Sequence, residues 1–212
     1  MRKLFMAAGL VSIACIAAMP AMAQDEPKAE VSGGFSYFHA GRGGNLYGWD
    51  GSVAGNLNNW LGIVGEFSGH YQSNSSSVSF PIVTRRVAVL APGPIGTFTT
   101  RADQNIYTFL FGPRFSYRKD KRLTPFGHVL PGFARSHVDG FVMVPPGLGI
   151  ADFSFSDSAT AFAMAIGGGL DIRLSRSWAF RTIQADYLLT HFAGQTQSNA
   201  RLTTGIVYRF GK

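Results

Sequence analysis

The sequence predicts an all-β protein, an eight-stranded antiparallel up-and-down transmembrane β-barrel, and three observations support this fold. Apolar residues alternate with small or polar ones along segments of about ten residues, as in barrel strands. Only 15% of the 212 residues are charged, while 26 are Gly and 13% are aromatic, so the surface suits lipid better than water. The longest uncharged apolar run after the amino-terminal region, residues 158–170, is too short for a transmembrane helix of roughly 20 residues. A closed barrel is the other structure that satisfies every backbone group in lipid.

The first 23 residues are expected to be a secretory signal peptide. Residues 2–3 are basic, residues 4–19 are apolar, and a small-x-small cleavage signal ends at Ala23. An amino-terminal membrane anchor is the alternative, but this apolar stretch is short of the roughly 20 residues that a span needs. A lipoprotein cleavage signal before Cys15 would have leucine three residues earlier, but this sequence has serine there. Since Cys15 is the only cysteine, the mature chain is expected to contain no disulfide.

Residues 24–28 are expected to be a short periplasmic lead, and residues 29–210 are expected to be the barrel. Its first three strands, over residues 30–39, 47–57 and 61–71, show the clearest alternation. In an amphipathic helix, positions i, i+3 and i+4 would be apolar. Here those positions repeatedly hold Gly, Asn or Ser, which excludes the helical interpretation.

Residues 73–103 interrupt the alternation with serine-rich and proline-glycine segments, and they predict a long loop that carries a hairpin of residues 78–90 and 97–101. A second long loop is expected at residues 138–157. The remaining strands are expected over residues 107–116, 124–137, 162–173, 178–191 and 201–210. The facing of strand five is ambiguous, because Pro125 and Pro131 cannot donate to a neighbouring strand.

The connections alternate in length. Turns after strands two, four and six are short, whereas those after strands three and five are long. Bacterial barrels have short periplasmic turns and longer extracellular loops. The sequence therefore predicts a bacterial outer-membrane location, with both long loops outside the cell.

Charged residues on the inward faces are expected to form a network. The lumen of an eight-stranded barrel is just wide enough for side chains to fill it, and buried charges must pair. The predicted network comprises Asp50, Glu66, Arg114, Asp171, Arg173, Arg201 and Arg209. We expect it to plug the interior; the alternative is an ion-conducting path past Arg114 and Arg173.

Four histidines, His39, His70, His137 and His191, are expected at the outer rim, because each falls at the end of an odd-numbered strand. Such a ring can bind a transition metal or sense pH. The four strands are not adjacent, however, and lie at least two spacings of about 4.8 Å apart. We therefore expect neither a metal nor a cofactor.

The sequence does not favour an enzyme. No charge cluster has a nucleophile, a base and oxyanion donors at a recognisable spacing. Ser136 and His137 are adjacent and point to opposite faces of a strand, while His191 and Ser198 are separated by a loop. The net charge of +7 comes from arginines spread along the chain, so no nucleic-acid partner is expected.

The carboxy-terminal residues 205–210, Gly-Ile-Val-Tyr-Arg-Phe, resemble the insertion signal of small eight-stranded outer-membrane barrels, the OmpA-like and opacity-type family of porins. Residues 111–114 and 184–187 resemble recurrent strand motifs of that family, and the resemblance covers residues 29–210. Residues 211–212, beyond the final aromatic, depart from the strictest form of the signal. The resemblance implies that the insertion machinery reads Ile206, Tyr208 and Phe210.

The expected function is a structural or surface-interaction role in the outer membrane, with the long loops available to an extracellular ligand. A narrow channel for ions or small solutes is the alternative, and a lipid-modifying barrel enzyme is a less favoured one. The expected partners are outer-membrane lipid and the insertion machinery, and the chain is expected to be a monomer.

Overall fold

The computed structural model describes residues 27–41, 44–81, 95–120, 122–144, 152–192 and 195–211, so the predicted signal peptide lies outside the described residues. The strands are β1 (Ala29–Ala40), β2 (Gly44–Asn56), β3 (Leu61–Pro81), β4 (Ile95–Ser116), β5 (Leu123–Met143), β6 (Phe153–Arg173), β7 (Trp178–Phe192) and β8 (Gln195–Phe210). Each strand pairs antiparallel with the next, and the sheet is closed. None of the described residues belongs to a helix that is long and apolar enough to cross a membrane. The predicted fold class is confirmed.

The first and last strands close the barrel. β1 pairs with β8 along its whole length, from Ala29 opposite Phe210 to Ala40 opposite Asn199. Both strands therefore have two neighbours, and their backbone N–H and C=O groups are hydrogen-bonded within the sheet. In hydrocarbon this matters, because each unsatisfied polar group costs several kcal/mol.

Side chains alternate between lipid and lumen. On β1 and β2, Phe35 and Trp49 are 53% and 41% exposed, while the neighbouring Ser36 and Asp50 are buried inside. Aromatic residues cluster at both ends of the outward apolar surface, as the girdles of membrane barrels do. Near the short turns they include Trp60, Phe115, Trp178 and Tyr208; at the opposite end they include Tyr37, Tyr47, Tyr71 and Tyr107.

The three short turns are stabilised by side chains that accept backbone hydrogen bonds. Asn58 Oδ1 accepts the N–H groups of Trp60 and Leu61. Asp120 Oδ1 does the same in the β4–β5 turn, and Ser175 Oγ accepts one backbone N–H in the β6–β7 turn. Short polar side chains favour such turns because they can bond to backbone groups two or three residues ahead.

The structure corrects the predicted long loops at residues 73–103 and 138–157. β3 continues to Pro81 and β4 begins at Ile95, while β5 continues to Met143 and β6 begins at Phe153. Residues 82–94 and 145–151 lie outside the described residues. The alternation disappears beyond the bilayer because both faces of a strand meet water there, so pairing continues without an apolar face.

These extensions form a four-stranded sheet that stands above the barrel. Pairing between β2 and β3 stops at Tyr71, and pairing between β6 and β7 starts only at Phe162. The extended parts rise about ten residues, roughly 30 Å along the strand. We call residues 72–81, 95–106, 136–143 and 153–161 the protruding sheet. Within the described part of the chain, its outer strands, β3 and β6, each have one open edge.

Candidate functional site

One polar layer of the interior is built around Arg201 of β8. This side chain is fully buried, and Nη2 donates to Glu66 and, over 2.6 Å, to Asp186. Nε donates to Asp186 at 3.0 Å, and Nη1 donates to Asp50 at 3.5 Å. Gln184 Nε2 donates to both Glu66 and Asp186. Three carboxylates thus surround one guanidinium, and we call this group the Arg201 layer.

A second layer, which we call the basic layer, lies nearer the periplasmic turns. Arg114 bridges two carboxylates, donating to Glu30 at 3.0 Å and to Asp171 at 3.1 Å. Arg181 donates to Asp171 at 2.9 Å, and Arg118 donates to Glu30 at 3.2 Å. The basic layer comprises Glu30, Asp171, Arg114, Arg118, Arg173, Arg181 and Arg209.

Phe126 lies between two guanidinium groups of the basic layer. The Cζ atom of Arg114 is 4.1 Å from the ring centroid, and that of Arg181 is 4.6 Å from it. An aromatic face attracts cations through its quadrupole. The ring therefore helps to accommodate positive charge that the two carboxylates of the layer leave uncompensated.

A buried apolar cluster shares the lumen with the two charged layers. On β1, β4, β5 and β7 its large members lie nearer the extracellular end than the layer residue of the same strand, whereas Ala54 and Val64 lie in register with Glu30. It contains Phe38, Ala40, Leu46, Ala54, Val64, Ile106, Leu110, Leu130, Ala134, Ala163, Ala165 and Leu188, all buried. Close-packed apolar side chains leave few voids large enough for water. The interior is thus filled by two charged layers and an apolar cluster.

All seven charged residues predicted for the interior lie on inward-facing positions. Asp50, Glu66 and Arg201 meet in one layer; Arg114, Asp171 and Arg209 meet in the other. Arg173 is half-buried at the periplasmic mouth, with no carboxylate within 4.0 Å among the described residues. The predicted insertion residues Ile206, Tyr208 and Phe210 share the outward face of β8.

Five members of these layers, and His128, which contacts Asp186, were not among the predicted network residues. The five are Glu30, Arg118, Arg181, Gln184 and Asp186. Arg181 and Gln184 both face inward although an odd number of positions separates them, because the β7–β8 register shifts between them. His128 was not predicted to face inward, because Pro125 and Pro131 made the facing of its strand ambiguous. Glu30 and Asp186 were already visible, because each sits on the polar side of a regular alternation.

The prediction that four histidines share the outer rim is wrong for His70. This residue is fully buried in the lumen, with Nε2 2.8 Å from the hydroxyl of Ser36. The reason is that β3 continues well beyond it. His39 and His191 lie at the outer ends of β1 and β7, and His137 faces outward on an extended part of β5.

Glu66, His128 and Asp186 are the one group among the described residues whose ligand atoms could together meet a metal ion, all within 4.8 Å. Arg201 already donates to Glu66 and Asp186. His128 Nε2 lies 2.8 Å from the remaining Asp186 oxygen. A positive group therefore already occupies the position that a cation would take.

The lumen-facing side of the protruding sheet carries exposed apolar side chains among polar ones. Val78, Phe153 and Phe155 are 64%, 53% and 50% exposed. The ring of Phe155 covers Gly140 on β5, where a Cβ atom would lie 2.1 Å from the ring. Phe153 and Phe155 alternate along β6 with Ser154 and other exposed polar residues. The open edge of β6 thus presents aromatic side chains on one face and hydroxyl groups on the other.

Comparisons with known proteins agree with this architecture. A family model described as an outer membrane protein beta-barrel domain matches residues 8–210. The chain is similar to the solved structure of Ail, the attachment invasion locus protein of Yersinia pestis, with a TM-score of 0.54 and 17% identity over 87% of this chain and 99% of Ail.

Ail in complex with the heparin analogue sucrose octasulfate gives a TM-score of 0.54 and 18% identity over 87% of this chain and 99% of that one. The outer membrane protein OprG from Pseudomonas aeruginosa gives a TM-score of 0.49 and 9% identity over 88% of this chain and 97% of OprG. A comparison with curated proteins finds no match. At these identities the two Ail structures show a shared fold alone.

Proposed function

The chain belongs to the family of outer membrane protein β-barrel domains, and from this premise we propose that it is a surface-interaction protein whose protruding sheet binds an extended strand of an extracellular protein. The barrel is located in the bacterial outer membrane. Its role is binding rather than catalysis. The observation that carries the proposal is the open edge of β6, residues 153–161, where β5 is the single neighbouring strand among the residues that the structure describes.

An open edge offers a row of backbone N–H and C=O groups to an incoming strand. Natural proteins usually block such edges with Lys, Pro or a bulge. Residues 153–161 of β6 contain no Lys or Pro, and Asp157 is their one charged residue. Strand addition obtains affinity from main-chain hydrogen bonds and specificity from alternate side chains. Phe153 and Phe155 favour a partner strand that alternates apolar and polar residues.

The charges of the protruding sheet favour a polypeptide over a sulfated polysaccharide. Its described residues include one arginine and three aspartates: Arg101, Asp103, Asp139 and Asp157. Arg101 is already paired with Asp103 at 3.1 Å. A heparin-like ligand, such as the analogue bound to Ail, needs clustered positive charge. The described surface does not supply that charge.

The interior supports a role that involves no conduction. A channel needs a continuous water path, and buried apolar side chains, among them Phe38, Leu110 and Leu130, share the lumen with the two charged layers. These side chains are almost completely buried. The charged layers and the apolar cluster together favour a plugged barrel over the alternative of a channel.

The test is selection of strand-forming peptides from a displayed library on the purified barrel in nanodiscs. We expect selected peptides to alternate apolar and polar residues and to slow amide hydrogen exchange in residues 153–161. Exchange in the central strand β4 should not change. The double variant Phe153→Ser/Phe155→Ser should weaken their binding at least about tenfold, about 1.4 kcal/mol.

The matched control is Phe141→Ser, which removes a 39% exposed aromatic from the outward face of β5 in the same sheet. We expect this variant to bind selected peptides as the wild type does. Failure to select any peptide, equal weakening by both variants, or protection outside β6 would each contradict the proposal.

A further inference from the structure

The basic layer contains more positive charge than its carboxylates compensate. Among the described residues, the layer holds five guanidinium groups and two carboxylates, those of Glu30 and Asp171, and four of the five form ion pairs with these carboxylates. Arg209 shares the carboxylates of Glu30 and Asp171 with the other arginines and has Arg118 and Arg173 as like-charged neighbours. Buried charges normally require paired and hydrogen-bonded partners. This layer therefore differs from the Arg201 layer, where carboxylates outnumber guanidinium groups.

Several buried N–H groups of the layer lack a hydrogen-bond acceptor among the residues that the structure describes. They are Nε and Nη2 of Arg209, Nε of Arg173 and Nε of Arg114. Arg209 is 3% exposed, and its Nε lies 3.4 Å from Glu30 without hydrogen-bond geometry. Buried polar groups in proteins are hydrogen-bonded in the large majority of cases. Unsatisfied guanidinium donors together with surplus charge point to an anionic ligand.

The position of the layer determines which anions can reach it. The guanidinium groups face the lumen, so lipid headgroups on the outer wall of the barrel do not meet them directly. Arg173 is half-buried at the periplasmic mouth, which opens the layer to that side. Exposed basic residues surround the mouth, among them Lys28, Lys119, Arg122 and Arg176. Such a field concentrates anions from solution.

We propose that the periplasmic mouth of the barrel is a binding site for a soluble phosphate-type oxyanion, held by Arg209 and Arg173 with Arg114 beneath. Guanidinium groups match the oxygens of phosphate through paired N–H donors. The site is distinct from the protruding sheet, and binding here does not depend on an extracellular partner.

The test uses the protein purified from outer membranes into a non-ionic detergent. Samples are heated at a series of temperatures in increasing concentrations of inorganic phosphate, and the folded and unfolded forms are then separated on gels. Parallel samples contain chloride at the same ionic strength. We expect phosphate to raise the unfolding midpoint, since a ligand that binds the folded form stabilises it. In Arg173→Gln the phosphate concentration that gives half of the stabilisation should rise at least about tenfold. The broadening of the phosphorus NMR signal of phosphate by the protein should weaken in parallel.

The matched control is Arg176→Gln, which removes one exposed positive charge from the β6–β7 turn without touching the basic layer. It should respond to phosphate as the wild type does. Arg173→Gln is preferred to Arg209→Gln because Arg173 has no carboxylate partner among the described residues, so the fold should survive the change. Equal responses to phosphate and chloride, or equal losses in Arg173→Gln and Arg176→Gln, would overturn the site.

Two further arms identify competing anions. The stabilisation by phosphate should be the same in nanodiscs of zwitterionic lipid and in nanodiscs that also contain the anionic lipid phosphatidylglycerol. If phosphate no longer stabilises the protein in the nanodiscs with phosphatidylglycerol, the site binds a lipid headgroup instead. The chain itself carries two carboxylates just before Pro27, at Asp25 and Glu26. If phosphate stabilises the double variant Asp25→Asn/Glu26→Gln but not the wild type, the carboxylates of residues 25 and 26 fill the site. That outcome would contradict the proposal.

Discussion

Arg201 shows how a single side chain can organise the interior of a barrel. Its guanidinium donates to Asp50, Glu66 and Asp186, which belong to three different strands, β2, β3 and β7. Each carboxylate is nearly inaccessible. A buried pair contributes little net stability over an apolar replacement, but breaking one leaves an uncompensated charge inside.

We therefore predict that Arg201→Met destabilises the barrel by about 3–5 kcal/mol, because three buried carboxylates lose their shared donor. Urea unfolding in lipid vesicles at neutral pH measures this. Arg101→Met is the control, since the Arg101–Asp103 pair is exposed and should contribute no more than about 1 kcal/mol. Similar losses in the two variants would contradict the role given to Arg201.

At the scale of elements, the polar turns hold the hairpins at the periplasmic side. In the β4–β5 turn, the backbone N–H groups of Arg122 and Leu123 donate to the exposed carboxylate of Asp120 and lower its pKa below the usual 3.8. The charged form is therefore favoured in the folded state. Its stabilisation is complete at pH values above 3.8 and is lost as the pH falls from there through the lowered pKa of the folded protein.

The corresponding prediction compares the wild type with Asp120→Asn, which keeps an acceptor oxygen but removes the charge. The wild type should unfold at a higher urea concentration across roughly pH 5 to 8, because the carboxylate is ionised there. The difference should shrink and vanish once the pH is well below 3.8. Unfolding midpoints over a pH series provide the measurement, and a difference that persists in strong acid would argue against the charge as its cause.

How far the sequence predicts the elements depends on where they lie relative to the bilayer. Inside it, lipid and a filled lumen impose opposite demands on alternate residues, so the strands around Trp49 and Phe67 were predictable. Beyond it, Ser75 and Ser77 can face water on either side, and no pattern separates strand from loop there. The register shift between Arg181 and Gln184 moves the inward-facing positions of β7 by one residue. Alternation alone cannot predict such a shift.

For the whole molecule, β8 both closes the barrel and carries the predicted insertion signal. Phe210 is 46% exposed, and its ring centroid lies 4.6 Å from that of Tyr208, which in turn contacts Trp178 at 4.7 Å. These rings form part of the periplasmic girdle. Truncating one of them removes outward aromatic surface but leaves the β1–β8 pairing in place.

Accordingly, Phe210→Ala should reduce the amount of barrel assembled in cells, while refolding from urea into detergent stays close to that of the wild type. The reason is that we expect the ring to act chiefly as a signal read during insertion and only secondarily as packing. Folded barrel is quantified by the faster migration of unboiled samples on gels. Trp60→Ala, which removes another exposed aromatic of the same girdle, is the control, and wild-type assembly of Phe210→Ala would contradict the signal.

The pairing of β1 with β8 also determines when the chain can finish folding. Glu30 lies opposite Arg209, so the final ladder joins segments from the two ends of the barrel sequence and has a very high contact order. Forming it requires loop-closure entropy to be overcome for almost the entire chain. Until the last strand has been exported, the first has an open, aggregation-prone edge. Closure of the barrel must therefore follow export of the last strand, and until then the edge of the first strand stays open.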